Sequence, residues 1–375
     1  MRILFINSRP DNLKNPGGDT IQAQKTKAAL ESLGLVVKEC SVQELGQTPP
    51  YDIAHVFNIQ EPGPAWQALQ ILHSKGMPVV LSPIYWDMYA YWYELAVAER
   101  ERWRKLARLL GKESLGRLYN AWQHLKAPAR QHWQIQRRVL KHAWRILPNS
   151  EAETSLLQKS FSLNAGFRRK VDVIPNAIDS ALYQPKPAPS DRFRKQYGIQ
   201  NFVLEVGTIN PVKNQLGLIE ALYDLPIPIV FIGKVLDAYP EYGEQCQARG
   251  KERGNVFFIN HVSHEELPGI YALAAVHALP SWRETPGLVS LEAAAAGCRV
   301  VTTSIGSTRD YFGNLAWYCY PNDLNSIRTA VEAALNSPPS PALRAQVLER
   351  FTWEKAAQAT LAAYEKALDY QTAPA

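Results

Sequence analysis

At 375 residues the chain exceeds what one compact core holds, so two domains are expected. Its 46% hydrophobic and 20% charged residues exclude wholesale disorder, and no stretch approaches the roughly 18–20 unbroken apolar residues of a membrane span. The net charge of +6 is unevenly placed, because residues 100–145 hold thirteen Lys and Arg against Glu101 and Glu113, a local +11 that leaves −5 for the rest.

The opening run, residues 1–7, is too short for the core of a secretory signal and lacks a small-residue cleavage site. It reads as a strand over 3–6, followed by a helix over 20–33 with Ile21, Ala28, Ala29 and Leu33 on its buried stripe. Further strands are expected at 53–57, 79–81, 146–147 and 171–174, with helices at 65–72 and 151–157. The second half repeats the alternation, with strands at 202–206, 229–232, 256–259, 277–279, 299–302 and 316–318 and helices at 215–222, 265–272, 288–296 and 324–335. Short apolar strands alternating with helices imply parallel sheets covered on both faces, hence two doubly wound α/β domains. The joint falls in the proline-rich stretch 175–197, which is not expected to sustain a helix. A last helix begins near Thr352, and its docking partner is not legible from the pattern. Cys40, Cys246, Cys298 and Cys319 lack metal-ligand spacing and read as buried free thiols of a reducing cytoplasm.

Residues 86–145 break the rhythm. No strand is legible there, the length suits two helices with Pro128 near their junction, and six of the ten tryptophans cluster: Trp86, Trp92, Trp103, Trp122, Trp133 and Trp144. Cations interleaved with Trp on amphipathic helices fit peripheral contact with an anionic membrane. A solvated basic face whose tryptophans pack inward fits equally well, and nucleic acid fits less well.

In an open parallel sheet, ligands bind beyond the carboxyl ends of the strands, where helices begin. After the strand ending near Pro280, a turn carries Glu284, and a helix opens at about Gly287. Its first backbone N–H groups and its dipole suit a diphosphate, Gly287 lets the backbone come close, and Glu292 one turn on can accept hydrogen bonds from a ribose diol. Taken alone, the segment also fits a capped surface helix with two solvated acids. A second turn, after 202–206, carries Gly207, Thr208 and Lys213, and a lysine there can stabilise charge on a leaving diphosphate.

Glu284 and Glu292 have the spacing of the Glu-x7-Glu motif, and the segment resembles that of the retaining glycosyltransferases of family 4. Thr285, Gly287, Leu288 and Val289 resemble the family's Thr-Phe-Gly-Leu pattern, with Pro286 where Phe is commoner. The stretches 294–301 and 306–310 also fit. The turn 207–213 is similar to the Gly-Arg-x4-Lys element, with Thr208 in place of Arg. Asn15-Pro16-Gly17-Gly18 is similar to the family's glycine loop, and 149–151 and 172–179 match its later turns. No His follows the strand at 79–81, where many relatives place one against the donor sugar; either Tyr85 or Asp87 takes that place, or the acceptor site is remodelled together with the insert.

The resemblance implies a GT-B-type fold, with two doubly wound Rossmann-like domains facing a central cleft. The expected parts are an acceptor domain over 1–180, a donor domain over 181–355 and a C-terminal helix over 356–375. It implies a metal-independent transferase that moves a sugar from a nucleotide-diphosphate donor to an acceptor hydroxyl with retention. The acceptor is a glycan, a lipid-linked molecule or a small molecule. Glu284, Lys213 and Asp87 are the implied catalytic residues. Gly17, Gly18, Thr208, Lys213, Glu284, Thr285, Gly287, Leu288, Val289 and Glu292 bind the donor. No cofactor and no metal is expected, since the chain has no Asp-x-Asp. The expected location is cytoplasmic, peripheral at the inner face of the membrane if the insert docks there. A nucleotide-sugar epimerase, a phosphorylase or a nucleotide-binding module with a degenerate site are the competing readings. A dinucleotide oxidoreductase would need a Gly-x-Gly-x-x-Gly after the first strand, and none is there.

Overall fold

The computed structural model describes residues 1–7, 17–87, 91–93, 97, 101–111, 114–116, 118–119, 122 and 127–372. Asn15 and Pro16 of the expected glycine loop, and parts of the insert, lie outside them. The chain divides into two compact units. Unit 1 is Met1–Pro175 with Glu354–Ala375, and unit 2 is Asn176–Trp353.

Unit 1 is built on β1 (Arg2–Asn7), β2 (Val36–Glu39), β3 (Ile53–Phe57), β4 (Val79–Ser82) and β5 (Arg145–Ile146), all parallel in the order β2-β1-β3-β4-β5. Ile3 to Ile6 and all of β3 are buried on both faces, which is why they read as unbroken apolar runs. Its helices are α1 (Gly18–Ser32), α2 (Pro62–Ser74), α3 (Glu101–Leu110), α4 (Ala127–His142) and α5 (Glu151–Ser160). One sheet face packs Leu4, Ile6, Val56, Leu69, Leu72, Val79 and Leu140 together.

Unit 2 is built on β6 (Val203–Val206), β7 (Ile229–Ile232), β8 (Val256–Ile259), β9 (Val276–Leu279), β10 (Arg299–Thr303) and β11 (Trp317–Cys319), all parallel in the order β11-β10-β9-β6-β7-β8. Its helices are α6 (Asp191–Tyr197), α7 (Gln215–Ala221), α8 (Pro240–Arg253), α9 (Leu267–Leu273), α10 (Leu288–Ala296), α11 (Thr308–Phe312), α12 (Leu324–Leu335) and α13 (Pro341–Arg350). Leu204, Val206, Val230 and Val300 pack with Ile270 and Leu291 on one face, while Val203, Phe231, Ala278 and Val301 pack with Leu218, Cys246 and Val331 on the other.

The final helix, α14 (Trp353–Thr372), leaves unit 2 and finishes unit 1. Its Tyr364 hydroxyl meets His55 Nδ1 at 2.7 Å, and His55 stacks on Phe57 with ring centroids 4.0 Å apart. Lys366 pairs with Asp172 at 2.7 Å. The helix left unplaced by the sequence thus caps the second face of the unit 1 sheet, and the boundary set at 180/181 falls at 175/176.

Four further expectations need correction. Residues 171–174 form no strand; only Val171 bridges Ile146, and the backbone runs beside β5 until Pro175, which has no N–H to continue the ladder. The 175–197 joint does contain a helix, α6, because the prolines stop at Pro189, Ser190 accepts from Phe193 N–H at 3.2 Å, and Gly198 closes the other end at φ 69°. The first helix was expected to bury Ile21, Ala28, Ala29 and Leu33, but α1 turns Thr20, Gln22, Thr26 and Leu30 inward and leaves Ile21, Ala28 and Leu33 exposed and Ala29 half-buried; β2, α8, α11 and α13 had not been expected. All four cysteines are buried and free.

Candidate functional site at the carboxyl edge of the unit 2 sheet

Strand β6 ends at Gly207, whose φ of 147° lies outside the range of L side chains. A Cβ on the neighbouring Gly233 would stand 2.1 Å from Gly207 O, so the ends of β6 and β7 approach as only glycines allow. The following turn is wound around Asn210. Its Oδ1 accepts from Val212 N–H at 3.0 Å and Lys213 N–H at 3.3 Å, and its Nδ2 donates to Thr208 O and Oγ1. Asn214 sits in the left-handed region at φ 64° and donates to the carbonyls of Pro280 and Pro321. The turn is over-determined by these bonds, and it aims Lys213 across to the next strand end.

There the Lys213 ammonium meets Glu284 Oε1 at 2.5 Å, with side chains 24% and 8% exposed. Glu284 is itself clamped by backbone: its N–H donates to Ile305 O at 3.1 Å, and its C=O accepts from Ser307 N–H at 2.9 Å. A Cβ on Gly306 would lie 1.9 Å from Glu284 O, so the β10–α11 turn closes on Glu284 only because residue 306 is glycine. Gly287, at φ 69°, precedes α10, and a Cβ there would meet Leu279 Cδ2 at 3.0 Å and Glu284 Oε2 at 3.4 Å. Ser290 and Leu291 N–H donate to Gly287 O. The N–H groups of Leu288 and Val289, at the first two helical positions, have no intrahelical acceptor and carry the positive end of the helix dipole beside the Lys213–Glu284 pair.

Further along α10, Glu292 Oε2 accepts from the Tyr271 hydroxyl at 3.2 Å. Burial, with Glu292 nearby, raises the Tyr271 phenol well above its ordinary range, so it stays a donor. His277 Nε2 meets Ser290 Oγ at 3.0 Å, and burial pushes the imidazole down to about 3, so that it is neutral. The helix that supplies the free amides is therefore braced from β9 and α9.

Lys213, Glu284, Gly287, Leu288, Val289 and Glu292 are thus brought together on one edge of unit 2, with Thr285 half-buried in the same turn. Thr208 stands where a second cation was looked for, and its hydroxyl is engaged by Asn210. Gly17, Gly18 and Asp87 belong to unit 1. Gly17 is the N-cap of α1 in extended conformation, and a Cβ on Gly18 would meet nothing within 4 Å. Asp87 is half-buried, two residues after Tyr85, whose N–H donates to the buried Glu153 carboxylate at 2.7 Å. Among the described residues no group of three or more His, Cys, Asp or Glu could hold a metal ion.

Sequence reading missed Glu205. It lies mid-strand in β6, 1% exposed, and both its oxygens lack a hydrogen-bond partner. Burial lifts its carboxyl well above the ordinary range; Lys213 opposes the shift and Glu284 adds to it. The group lies within electrostatic reach of the Lys213–Glu284 pair, and burial disfavours its charged form. The signal was one charged residue inside the apolar run 202–206. Tyr271 and Ser290 were missed as well, having no motif to mark them.

Residues 189–350 match the family model described as "Glycosyl transferases group 1". The matched stretch contains every candidate site residue of unit 2. Among curated proteins, the O-antigen chain mannosyltransferase B of Escherichia coli is 28% identical over 179 residues, covering 45% of this chain and 47% of that protein. The D-inositol 3-phosphate glycosyltransferase of Mycolicibacterium smegmatis is 27% identical, over 63% of this chain and 56% of that protein. The chain thus spans about half the length of these curated relatives. Among solved structures, sucrose-phosphate synthase from Thermosynechococcus elongatus matches with a TM-score of 0.74 at 16% identity, over 99% of this chain and 100% of that one. Anabaena HepE in complex with UDP-glucose matches at 0.68 and 19%, over 98% and 100%. The fold is that of the GT-B glycosyltransferases.

Proposed function

We propose that the protein transfers a glycosyl unit from a nucleoside-diphosphate sugar to an acceptor hydroxyl, with retention of anomeric configuration and without a metal ion. The observation that carries this is the Lys213–Glu284 pair set beside the free amides of Leu288 and Val289. An incoming diphosphate offers Lys213 a more highly charged partner than Glu284. The ammonium then shifts to the phosphate oxygens, the amides hold the far side of the diphosphate, and Glu284 is released to accept hydrogen bonds from the donor sugar. Negative charge building on the leaving diphosphate meets donors already in place, which is where such an arrangement lowers a barrier. Glu292, held by Tyr271, accepts from the ribose diol.

Names of relatives support the class of reaction: a mannosyltransferase, an inositol phosphate glycosyltransferase and a protein solved with UDP-glucose. In unit 1 the proposal assigns Gly17 and Gly18 to the phosphates and Asp87 to the reacting sugar, on the resemblance alone. The acceptor is a glycan, a lipid-linked molecule or a small molecule. The proposal places the work in the cytoplasm, with peripheral contact at the inner face of a membrane through residues 100–145. No helix among the described residues is long and apolar enough to cross one.

The test is a transfer assay with UDP-, GDP- and ADP-sugars and a panel of acceptors in EDTA, with the product anomer read by NMR. An α-linked donor should give an α-linked product. Inverted product, an absolute metal requirement, or conversion of donor without any acceptor would overturn the reading.

A further inference from the structure

We infer that the outward face of α3 is a docking surface for an anionic lipid bilayer. Of the described side chains of helix α3, residues Glu101–Leu110, Trp103 and Ala107 turn toward protein, where they meet Tyr93, Val97, Leu115 and Tyr119 in a small cluster separate from the main core of unit 1. Leu106, Leu109 and Leu110 are 40%, 80% and 46% exposed. At 100° per residue these three span an arc of about 100°, one continuous apolar stripe rather than scattered leucines.

The cations are placed around that stripe. Exposed Arg102 stands within the arc one turn toward the N-terminus, exposed Lys105 lies about 40° beyond its edge on the side away from Trp103, and exposed Arg108 follows farther round the helix. Their stems are long enough to lie along a hydrocarbon boundary while the charge stays among headgroups. Exposed Trp92, Leu118 and Trp122 add apolar side chains in the same insert, and the surrounding segment carries the local +11.

A solvated basic face would have kept its leucines inward, as α4 does with Val139 and Leu140. A nucleic-acid surface would present aromatic planes for stacking, whereas the stripe on α3 is leucine, which has none. Leucine at the depth of acyl chains and Arg or Lys at the level of anionic headgroups is the division of labour of an interfacial helix. The inference rests on the peripheral membrane contact proposed above and narrows it to one helix face; docking needs no turnover, so vesicle binding and sugar transfer can fail independently.

The test is co-flotation of the full chain with phosphatidylcholine vesicles containing about 30% phosphatidylglycerol, at about 0.05 M and about 0.5 M salt. Binding is expected at low salt, weaker at high salt, and absent on pure phosphatidylcholine. Leu106→Gln, Leu109→Gln and Leu110→Gln together should lower the partition coefficient about tenfold or more. Because all three side chains are exposed, the variant should keep the wild-type melting temperature, and wild-type binding to nucleoside diphosphates serves as a second check on folding. Lys105→Glu with Arg108→Glu should abolish the salt-dependent part. No vesicle binding at low salt, binding unaffected by the leucine changes, self-association lost in the leucine variant, or retention of a single-stranded oligonucleotide in place of vesicles would each overturn the assignment.

Discussion

The carboxyl edges of the two sheets are the same architectural place and are held by different chemistry. In unit 2 the turns after β6, β9 and β10 are locked by backbone approaching backbone: Gly233 against Gly207 O, and Gly306 against Glu284 O. In unit 1 the corresponding turns are locked by buried side chains. Asn58, at φ 73°, donates to Asp19 in the first turn of α1 at 2.9 Å. Glu153 accepts from Tyr85 N–H after β4 and from Asn149 N–H after β5, each at 2.7 Å, while its own N–H donates to Ser150 Oγ at 2.9 Å. Ile84, a β-branched residue at φ 48°, is the strained link between β4 and that carboxylate. The comparison teaches that one edge tolerates no added atom, whereas the other tolerates no lost acceptor.

The sharpest way to break the comparison is at Gly306. Gly306→Ala puts a methyl 1.9 Å from a carbonyl oxygen at a φ of 108°, and the cost is expected to reach about 4 kcal/mol or more, with nucleotide binding lost. Urea midpoints and calorimetry check this; a variant within about 1 kcal/mol of wild type would mean the clamp on Glu284 is slack.

Glu153→Ala comes next, at about 2–4 kcal/mol, because two buried N–H groups lose their acceptor. Its pH dependence has a definite sign. Burial raises the Glu153 carboxyl from its ordinary 4.5 to about 7, against the two backbone bonds that lower it. The folded state therefore holds the proton more tightly than the unfolded one, and this group's contribution is full below about pH 4.5 and lost as pH rises to about 7. The variant lacks that loss, so its deficit should be larger at pH 5 than at pH 8 in paired urea titrations. A deficit growing with pH would place the carboxylate, rather than the acid, as the favoured form.

The smallest effect belongs to Glu205, and it runs the other way. Glu205→Leu replaces an acid without a hydrogen-bond partner by a residue of similar volume among Val203, Phe231 and Cys319, and should stabilise by about 1–2 kcal/mol. Since burial raises the carboxyl, the wild type loses stability as pH climbs above the ordinary carboxylate range, and the gain should grow with pH. A melting temperature that falls in the variant would show that the acid has a partner worth more than its burial costs.

What could be read from the chain follows the same division. Glycine-governed turns, Glu284, Glu292 and Lys213 stood in legible order, because close backbone approach restricts residue type at one position. Strands buried on both faces were equally plain. The missed β2 is an edge strand in which only Val37 is buried. The missed α8 packs through Gly243, Cys246 and Gly250, small residues that leave no apolar stripe. The Ser150–Glu153 spacing was a capping-box signature, yet nothing local says that the same carboxylate reaches Tyr85, sixty-eight residues away in sequence. For α14, the partner is a histidine buried in β3, a contact that no local pattern encodes.

We propose that Lys213, Glu284, Glu292 and the start of α10 hold a nucleoside diphosphate. Titration calorimetry of UDP, GDP and ADP in EDTA, on wild type, Lys213→Ala and Glu292→Ala, tests it most directly. One of the three should bind the wild type without metal, and each variant should weaken that binding by about 1–3 kcal/mol for the lost charged hydrogen bonds. No binding to wild type, or unchanged affinity in both variants, would contradict it.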